Sequence, residues 1–259
     1  MLKKLLATAI LAFICVNWTA RVEADQVFAI TGVNWNPTIK GTITDSSGTT
    51  NVDITGGGVF AATLNGIPQA ATYCLDIRND IYGWHEYDSI VNQTGDVYGY
   101  PETNAGAVAW LVDNIGLQYV PGAADAAATA GLQALIWELV SPNLHSPQGT
   151  QTFHFVAASN DSGVVAGYND ALNALNIAAN FNVNHNYASL DAWKTAALWI
   201  TPHPGTNSST YSQAQVSAIP GAHPNAAVPE PSSLALLGLG GIGSAIGAIR
   251  RRRQEKATA

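Results

Sequence analysis

Two apolar segments, one near each end of the 259-residue chain, limit how much of it can form a globular fold. The first, residues 5–16, follows two lysines and is too short to span a bilayer. A short apolar stretch behind a positive N-terminus, followed by the small residues Val22 and Ala24, is typical of a cleavable secretory signal peptide. We therefore expect residues 1–24 to be removed, with cleavage before Asp25.

The second apolar segment, residues 232–249, lies between a Pro-Glu-Pro triplet and a block of four arginines. Its length suffices for a transmembrane helix, and the arginines should stay in the cytoplasm with the tail, residues 254–259. The order of these parts over residues 228–253 resembles the PEP-CTERM sorting signal. That resemblance implies a Gram-negative bacterium, processing by an exosortase, and transient membrane anchoring before delivery to the cell surface or extracellular matrix. The residues that carry it are Pro229, Glu230, Pro231, Arg250, Arg251, Arg252 and Arg253.

The chain between these ends is strongly acidic. Residues 25–227 contain 15 acids and three cations, a net charge near −12, compared with −7 for the whole chain. Nucleic acids bind basic surfaces, so this charge excludes a nucleic-acid partner. The acids between residues 76 and 88 lack the spacing of a calcium-binding loop, and no phosphate-binding motif is present. The sequence predicts neither a metal nor a cofactor.

Patterning predicts an α+β fold for residues 25–219, followed by a linker, residues 220–227. Alternating and β-branched residues predict strands, and apolar residues at helical spacing predict helices. Residues 77–102 are polar and aromatic and indicate a hairpin or long loop, while Thr103 can cap the first helix. The expected architecture is sandwich-like or barrel-like strands with an inserted helical subdomain, plus the C-terminal transmembrane helix. The predicted strands are 26–32, 38–44, 51–55, 58–64, 71–76, 152–158, 193–201 and 211–219, and the predicted helices are 105–115, 123–140 and 163–180.

Cys74 is the only cysteine left after removal of the signal peptide, which contains Cys15. Two cysteines in all exclude a four-cysteine zinc cluster and a disulfide framework. An unpaired cysteine in an oxidising compartment is a buried apolar residue, a catalytic thiolate, or a partner in an intermolecular disulfide or an internal covalent link. A second unusual residue, Gln133, is an amide within an apolar helix and must find hydrogen-bond partners if it is buried. Gly131 in the same helix would let a strand approach closely.

These two residues lie in motifs that resemble those of bacterial thioester domains in surface adhesins. In that family a cysteine after an aromatic residue or leucine condenses with the glutamine of a hydrophobic-Gln-x-x-hydrophobic-aromatic motif. Tyr73-Cys74 matches the first motif, and residues 132–137 match the second, although Leu132 stands where many members have threonine. The resemblance implies a Cys74–Gln133 thioester that acylates an amine on an extracellular or surface partner, in adhesion or biofilm formation.

Four neighbouring residues are candidates to assist this chemistry. Tyr73 and Trp137 are bulky enough to exclude water from a thioester, and Asp76 should share a strand face with the cysteine. His85, 11 residues after Cys74, is the best candidate for an assisting base among the six histidines.

Two other functions remain compatible with the sequence. A noncovalent exopolysaccharide-binding or structural matrix protein would leave Cys74 inert and use the aromatic side chains of residues 77–102. A cysteine hydrolase would pair Cys74 with a histidine such as His85 or His154. A thioester reacts once per molecule, so under the leading hypothesis the protein is not an enzyme.

Overall fold

The computed structural model describes residues 26–32, 37–77, 86–120, 125–141, 145–146, 149–179, 187–202 and 213–222. The chain divides into two units, Met1–Pro220 and Gly221–Ala259, and the elements below belong to the first. The strands are β1 Gln26–Gly32, β2 Ile39–Asp45, β3 Gly48–Ile54, β4 Ala61–Leu64, β5 Ile67–Pro68, β6 Thr72–Cys74, β7 Glu86–Asn92, β8 Asp96–Val97, β9 Tyr100–Pro101, β10 His145–Ser146, β11 Gly149–Thr150, β12 Thr152–Phe155, β13 Ala197–Pro202 and β14 Gln215–Ala218. The α-helices are α1 Ala105–Asn114, α2 Ala126–Val140 and α3 Ser162–Ala178, and the 3-10 helices are Gly116–Gln118, Ala157–Ser159 and Ala188–Ala196.

Seven strands form an antiparallel sheet in the order β5-β4-β1-β7-β13-β14-β6. This sheet is curled into a half-barrel, and a bridge between Phe60 and Thr72 links the residue before β4 to β6 at the far end of the order. A three-stranded sheet, β12-β2-β3, and the short pairs β8-β9 and β10-β11 account for the other described strands. The mixed helix-and-sheet fold with barrel-like curvature agrees with the predicted class.

Alternation of side chains decides which face of each strand is buried. In β1, Phe28 and Ile30 are fully buried, whereas Val27 is exposed. In β2, Ile39 and Ile43 are buried on one face. A period of two residues is what a strand shows when only one side of its sheet faces the core, and it is why the sequence located both strands within one residue.

Helix α2 is buried on most of its surface because it packs against both the sheet and α3. Leu132 and Ile136 belong to one buried cluster with residues of β6, β13 and β14, while Ala130 and Ala134 belong to a second cluster with β1 and β2. Helix α2 therefore contributes side chains to both buried clusters, together with the strands. The close approach at Gly131 is made by helix α3, so the expected approach of a strand there is wrong.

Three local predictions are corrected by the structure. Residues 86–92, within the segment expected to be a hairpin or loop, form β7 in the middle of the sheet, between β1 and β13. Helix α1 is preceded by Asn104 as the capping position rather than Thr103, and the Asn104 amide donates instead to the Leu139 carbonyl oxygen. Residues 193–196, expected to begin a strand, end a 3-10 helix.

The predicted signal peptide, most of the linker, the sorting signal and the transmembrane helix lie outside the described residues. Among the residues that the structure describes, no helix combines the length and apolar character needed to cross a membrane.

The α2–α3 crossing yields a first prediction. A Cβ added to Gly131 would lie 2.3 Å from the backbone nitrogen of Tyr168 and 2.4 Å from the carbonyl oxygen of Val164. These backbone atoms belong to the facing helix and can move only if the helices separate, so Gly131→Ala should lower the free energy of unfolding by about 2 kcal/mol despite the better helix propensity of alanine. Urea unfolding measures this loss. Gly32→Ala is the control and should cost much less, because among the described residues its methyl would meet one side-chain atom, the Ala61 Cβ, at 3.3 Å.

Glu102, just before α1, yields a prediction about pH. Its side chain is buried, its Oε1 has no hydrogen-bond partner in the described part of the chain, and burial raises the pKa of its carboxyl from 4.5 to about 8. Between these values the folded chain keeps a proton that the unfolded chain has released, so its stabilising contribution is full below pH 4.5 and is lost as the pH rises to about 8. The loss approaches about 1.4 kcal/mol per unit of pH across this interval. Thermal unfolding of Glu102→Gln should lack this decline, whereas the exposed Glu86→Gln should keep it; the same decline in Glu102→Gln would assign it to other groups.

Candidate functional site

Cys74 is the last residue of β6, at the end of the seven-stranded sheet. On one side β6 pairs with β14, where Cys74 lies opposite Gln215 and the Leu75 N–H donates to the Ala214 carbonyl oxygen at 2.8 Å. On its other side the strand has only the Phe60 bridge, in which the Phe60 N–H donates to Thr72. The backbone groups of Cys74 therefore point to an edge that no strand of the sheet covers.

Gln133 from helix α2 covers that edge. The Cys74 N–H donates to Gln133 Oε1 at 2.9 Å, and Gln133 Nε2 donates to the Cys74 carbonyl oxygen at 2.7 Å. The side-chain amide thus takes the place of a peptide group in a neighbouring strand, and both residues are buried, with Cys74 2% exposed and Gln133 0% exposed. The carboxamide carbon between the two bonded atoms is held beside Cys74.

The sulfur of Cys74 faces two further glutamines at β14. Its S–H donates to Gln213 Oε1 at 2.7 Å, and Gln215 Nε2 donates to the sulfur at 3.4 Å. The pKa of the thiol is raised far above its usual value, chiefly by burial and also by the nearby charge of Asp76, while the Gln215 hydrogen bond works in the opposite direction. The group is therefore a neutral thiol near neutral pH.

Asp76 organises the polar side of this site. Its carboxylate accepts hydrogen bonds from the Tyr98 hydroxyl at 3.2 Å and from Gln151 Nε2 at 3.2 Å. Its backbone carbonyl oxygen accepts from Gln213 Nε2, the same side chain that contacts the thiol. Asp76 thus reaches the sulfur through Gln213 and through its charge, rather than by a direct hydrogen bond.

The two candidate aromatic shields lie on opposite sides of the strand. Trp137 belongs to the same buried cluster as Cys74 and packs edge-to-face on Phe153, with ring centroids 5.6 Å apart. Tyr73 points into the other cluster, where its hydroxyl donates to the Gly116 carbonyl oxygen at 3.4 Å. Trp137 can therefore exclude water around Cys74, whereas Tyr73 packs on the opposite face of strand β6.

His154, the histidine whose side chain the structure describes, does not supply a base to this site. His154 lies at the surface, with Nδ1 3.6 Å from Glu138 Oε1, and Glu138 also accepts from the Tyr168 hydroxyl. His85 lies outside the described residues. Among the residues that the structure describes, the Cys74 sulfur bonds to glutamines, and no group of three potential metal ligands occurs.

Sequence reasoning missed Gln213, Gln215 and Gln151. Gln213 and Gln215 are two residues apart at the start of a strand, so they share a face of the sheet, and this alternation was the available signal. Strands were predicted at both β6 and β14, but their pairing could not be assigned from one sequence, and therefore the common neighbour of the two amides was hidden.

Comparison with known proteins bears on the C-terminus. A family model, the PEP-CTERM protein-sorting motif, matches residues 227–253. This confirms the predicted sorting signal and supports an exported bacterial surface protein that is processed by an exosortase. Neither the curated proteins nor the solved structures contain a match to the chain.

The two hydrogen bonds of Gln133 yield a prediction that is separate from any reaction of the cysteine. In a Cys74→Ala background, Gln133→Leu leaves a buried N–H and a buried carbonyl oxygen without their partner. An unsatisfied buried polar group costs about 1–3 kcal/mol, so the double variant should lose about 2–5 kcal/mol relative to Cys74→Ala. Urea unfolding provides the measurement, and Gln118→Leu at an exposed position is the control. A loss below about 1 kcal/mol would show that other groups satisfy the strand edge equally well.

Proposed function

We propose that this exosortase-sorted surface protein forms an internal thioester between Cys74 and Gln133 and uses it to attach covalently to an amine-bearing partner outside the cell. The observation that carries the proposal is the pairing of the Gln133 carboxamide with the backbone of Cys74 at 2.9 and 2.7 Å. This pairing holds an electrophilic carbon next to the single cysteine of the expected mature chain. The sorting signal supplies the location in which such a bond would act.

The bond-forming step is an acyl transfer. The Cys74 sulfur attacks the Gln133 carboxamide carbon, the carbon–nitrogen bond breaks, and the thiol proton leaves with the nitrogen as ammonia. The Cys74 N–H already donates to the carboxamide oxygen, so it is positioned to stabilise the negative charge that develops there. In the second step a primary amine attacks the thioester, which leaves an amide on Gln133 and restores the thiol.

Burial supports the persistence of such a bond. Hydrolysis competes with aminolysis, and a site whose two reacting residues are at most 2% exposed keeps water away until a partner arrives. The scarcity of lysine also favours persistence of the thioester, since residues 25–227 contain only two lysines that could react with it. Each molecule would react once, so the proposed activity is attachment rather than turnover.

The two alternatives differ in how well they fit the site. A cysteine hydrolase requires a thiolate at neutral pH, whereas burial raises the pKa of the Cys74 thiol and its contacts are amides. A noncovalent matrix protein is compatible with Gln133 as a structural cap of the strand edge. One of the aromatic residues proposed for sugar binding, Tyr98, is engaged with Asp76 in this network.

Intact-mass analysis of the exported protein tests the proposal. The wild-type chain should be lighter than its sequence mass by one ammonia, because the bond forms with loss of the Gln133 nitrogen. Cys74→Ser and Gln133→Leu should each show their full sequence mass, and incubation with methylamine should add one methylamine to the wild type alone. The exposed Gln118→Leu serves as the matched control and should behave as the wild type does.

The outcome that contradicts the thioester is equally direct. A wild-type chain of full mass whose Cys74 is alkylated stoichiometrically after unfolding would leave Gln133 with a structural role only, as the noncovalent alternative requires.

A further inference from the structure

Two glutamines other than Gln133, namely Gln213 and Gln215, form hydrogen bonds with the Cys74 sulfur. Gln213 is 7% exposed and Gln215 is 0% exposed, although both carry polar amides at a sheet position where apolar side chains would pack more easily. Gln213 lies just before β14, and Gln215 is its first residue. The pairing of β14 with β6 sets Gln215 directly opposite Cys74. Burial of two amides next to one thiol indicates that their polar atoms have a role at the sulfur.

The orientation of each amide is fixed by a second contact. Gln213 Nε2 donates to the Asp76 carbonyl oxygen, which leaves Oε1 to receive the S–H at 2.7 Å. Gln215 Nε2 donates to the Gln213 carbonyl oxygen at 3.0 Å and faces the sulfur at 3.4 Å. The sulfur therefore has a defined acceptor for its proton and a defined donor for its lone pair.

The remaining atom of this pair is unsatisfied. Gln215 Oε1 is buried and has no hydrogen-bond partner among the residues that the structure describes. A buried acceptor without a donor is uncommon in a folded protein and requires an explanation, and next to a reactive sulfur that explanation is a donor that binds during the reaction. A primary amine that attacks the acyl carbon of the thioester brings N–H donors close to the Cys74 sulfur, which is the neighbour of this side chain.

We propose that Gln213 and Gln215 are the positioning residues of the acyl transfer: Gln213 orients the thiol, and Gln215 stabilises negative charge on the sulfur and receives an N–H of the primary amine. This inference rests on the proposed thioester. When the bond forms, the thiol proton goes to the departing ammonia and Gln215 Nε2 supports the charge that builds on sulfur. When an amine attacks, the same N–H supports the departing sulfur, the amine proton passes to that sulfur, and Gln215 Oε1 holds the amine nitrogen during attack.

The experiment measures two quantities in the exported full chain. The first is the fraction of molecules that lack one ammonia by intact mass, and the second is the rate constant for methylamine addition, corrected for the free amine, as a function of pH. Gln213→Met should lower the first quantity, since the thiol loses its acceptor. Gln215→Met should slow methylamine addition by about tenfold or more, the factor that corresponds to about 1.4 kcal/mol.

A conservative variant distinguishes positioning from packing. Gln215→Glu keeps an acceptor at the site but loses the N–H and gains a titratable group, so its rate constant should acquire a dependence on pH that the wild type lacks. A side chain that only fills space would not produce this change. If Gln215→Met does not fold cooperatively, the pH profile of Gln215→Glu decides the question.

Ser217→Ala is the matched control, because Ser217 is buried on the same strand and its hydroxyl contacts Thr72 rather than the cysteine. It should retain the wild-type ammonia loss and rate. A wild type without ammonia loss would reject the thioester itself. A wild type with ammonia loss, together with glutamine variants that match Ser217→Ala in both quantities and in pH profile, would overturn the roles of Gln213 and Gln215 alone.

Discussion

The pairing of one side-chain amide with one strand edge connects the parts of this fold. Gln133 satisfies the N–H and carbonyl oxygen of Cys74, two groups that the end strand β6 would otherwise leave buried without partners. For the amide to arrive there, helix α2 must lie against the sheet with little polar surface of its own. That burial in turn requires α3 to approach closely, and Gly131 and Gly167 permit the approach because any Cβ at either position would meet backbone of the opposite helix.

The same pairing gives the site its chemical character. The groups within hydrogen-bond distance of the Cys74 side chain are neutral amides, and the nearby charge, on Asp76, opposes ionisation of the thiol. A low-dielectric site of this kind disfavours a permanent thiolate but tolerates a thioester, which carries no charge. It therefore suits a sulfur that is converted once into a neutral bond better than a sulfur that must ionise in every catalytic cycle.

The sequence predicted most elements but not the full site, for identifiable physical reasons. Strongly alternating strands such as β1 and the long apolar helix α2 were located because burial imposes their periods on the residues. Strand β7 was missed because its apolar pattern is weak. Its one buried residue is the polar Ser89, and its other residues are partly buried or exposed. Cys74 and Gln133 could be singled out as unusual residues within local motifs. Gln213 and Gln215 become significant only through the pairing of β6 with β14, which brings Gln215 next to Cys74 although the two are 141 residues apart in the sequence.

Export gives these properties a common physical basis. A free thiol outside the cytoplasm is exposed to oxidation, and the site protects Cys74 by burial and by hydrogen bonds with three side-chain amides rather than by a disulfide. This protection has a cost, since each polar group that is buried destabilises the core unless it has a hydrogen-bond partner. Most are paired here, and the exception next to the sulfur is Gln215 Oε1. Gln151 Oε1 and Trp137 Nε1 also lack a partner among the described residues, so what distinguishes Gln215 Oε1 is its place beside the sulfur, where the proposed amine would supply a donor.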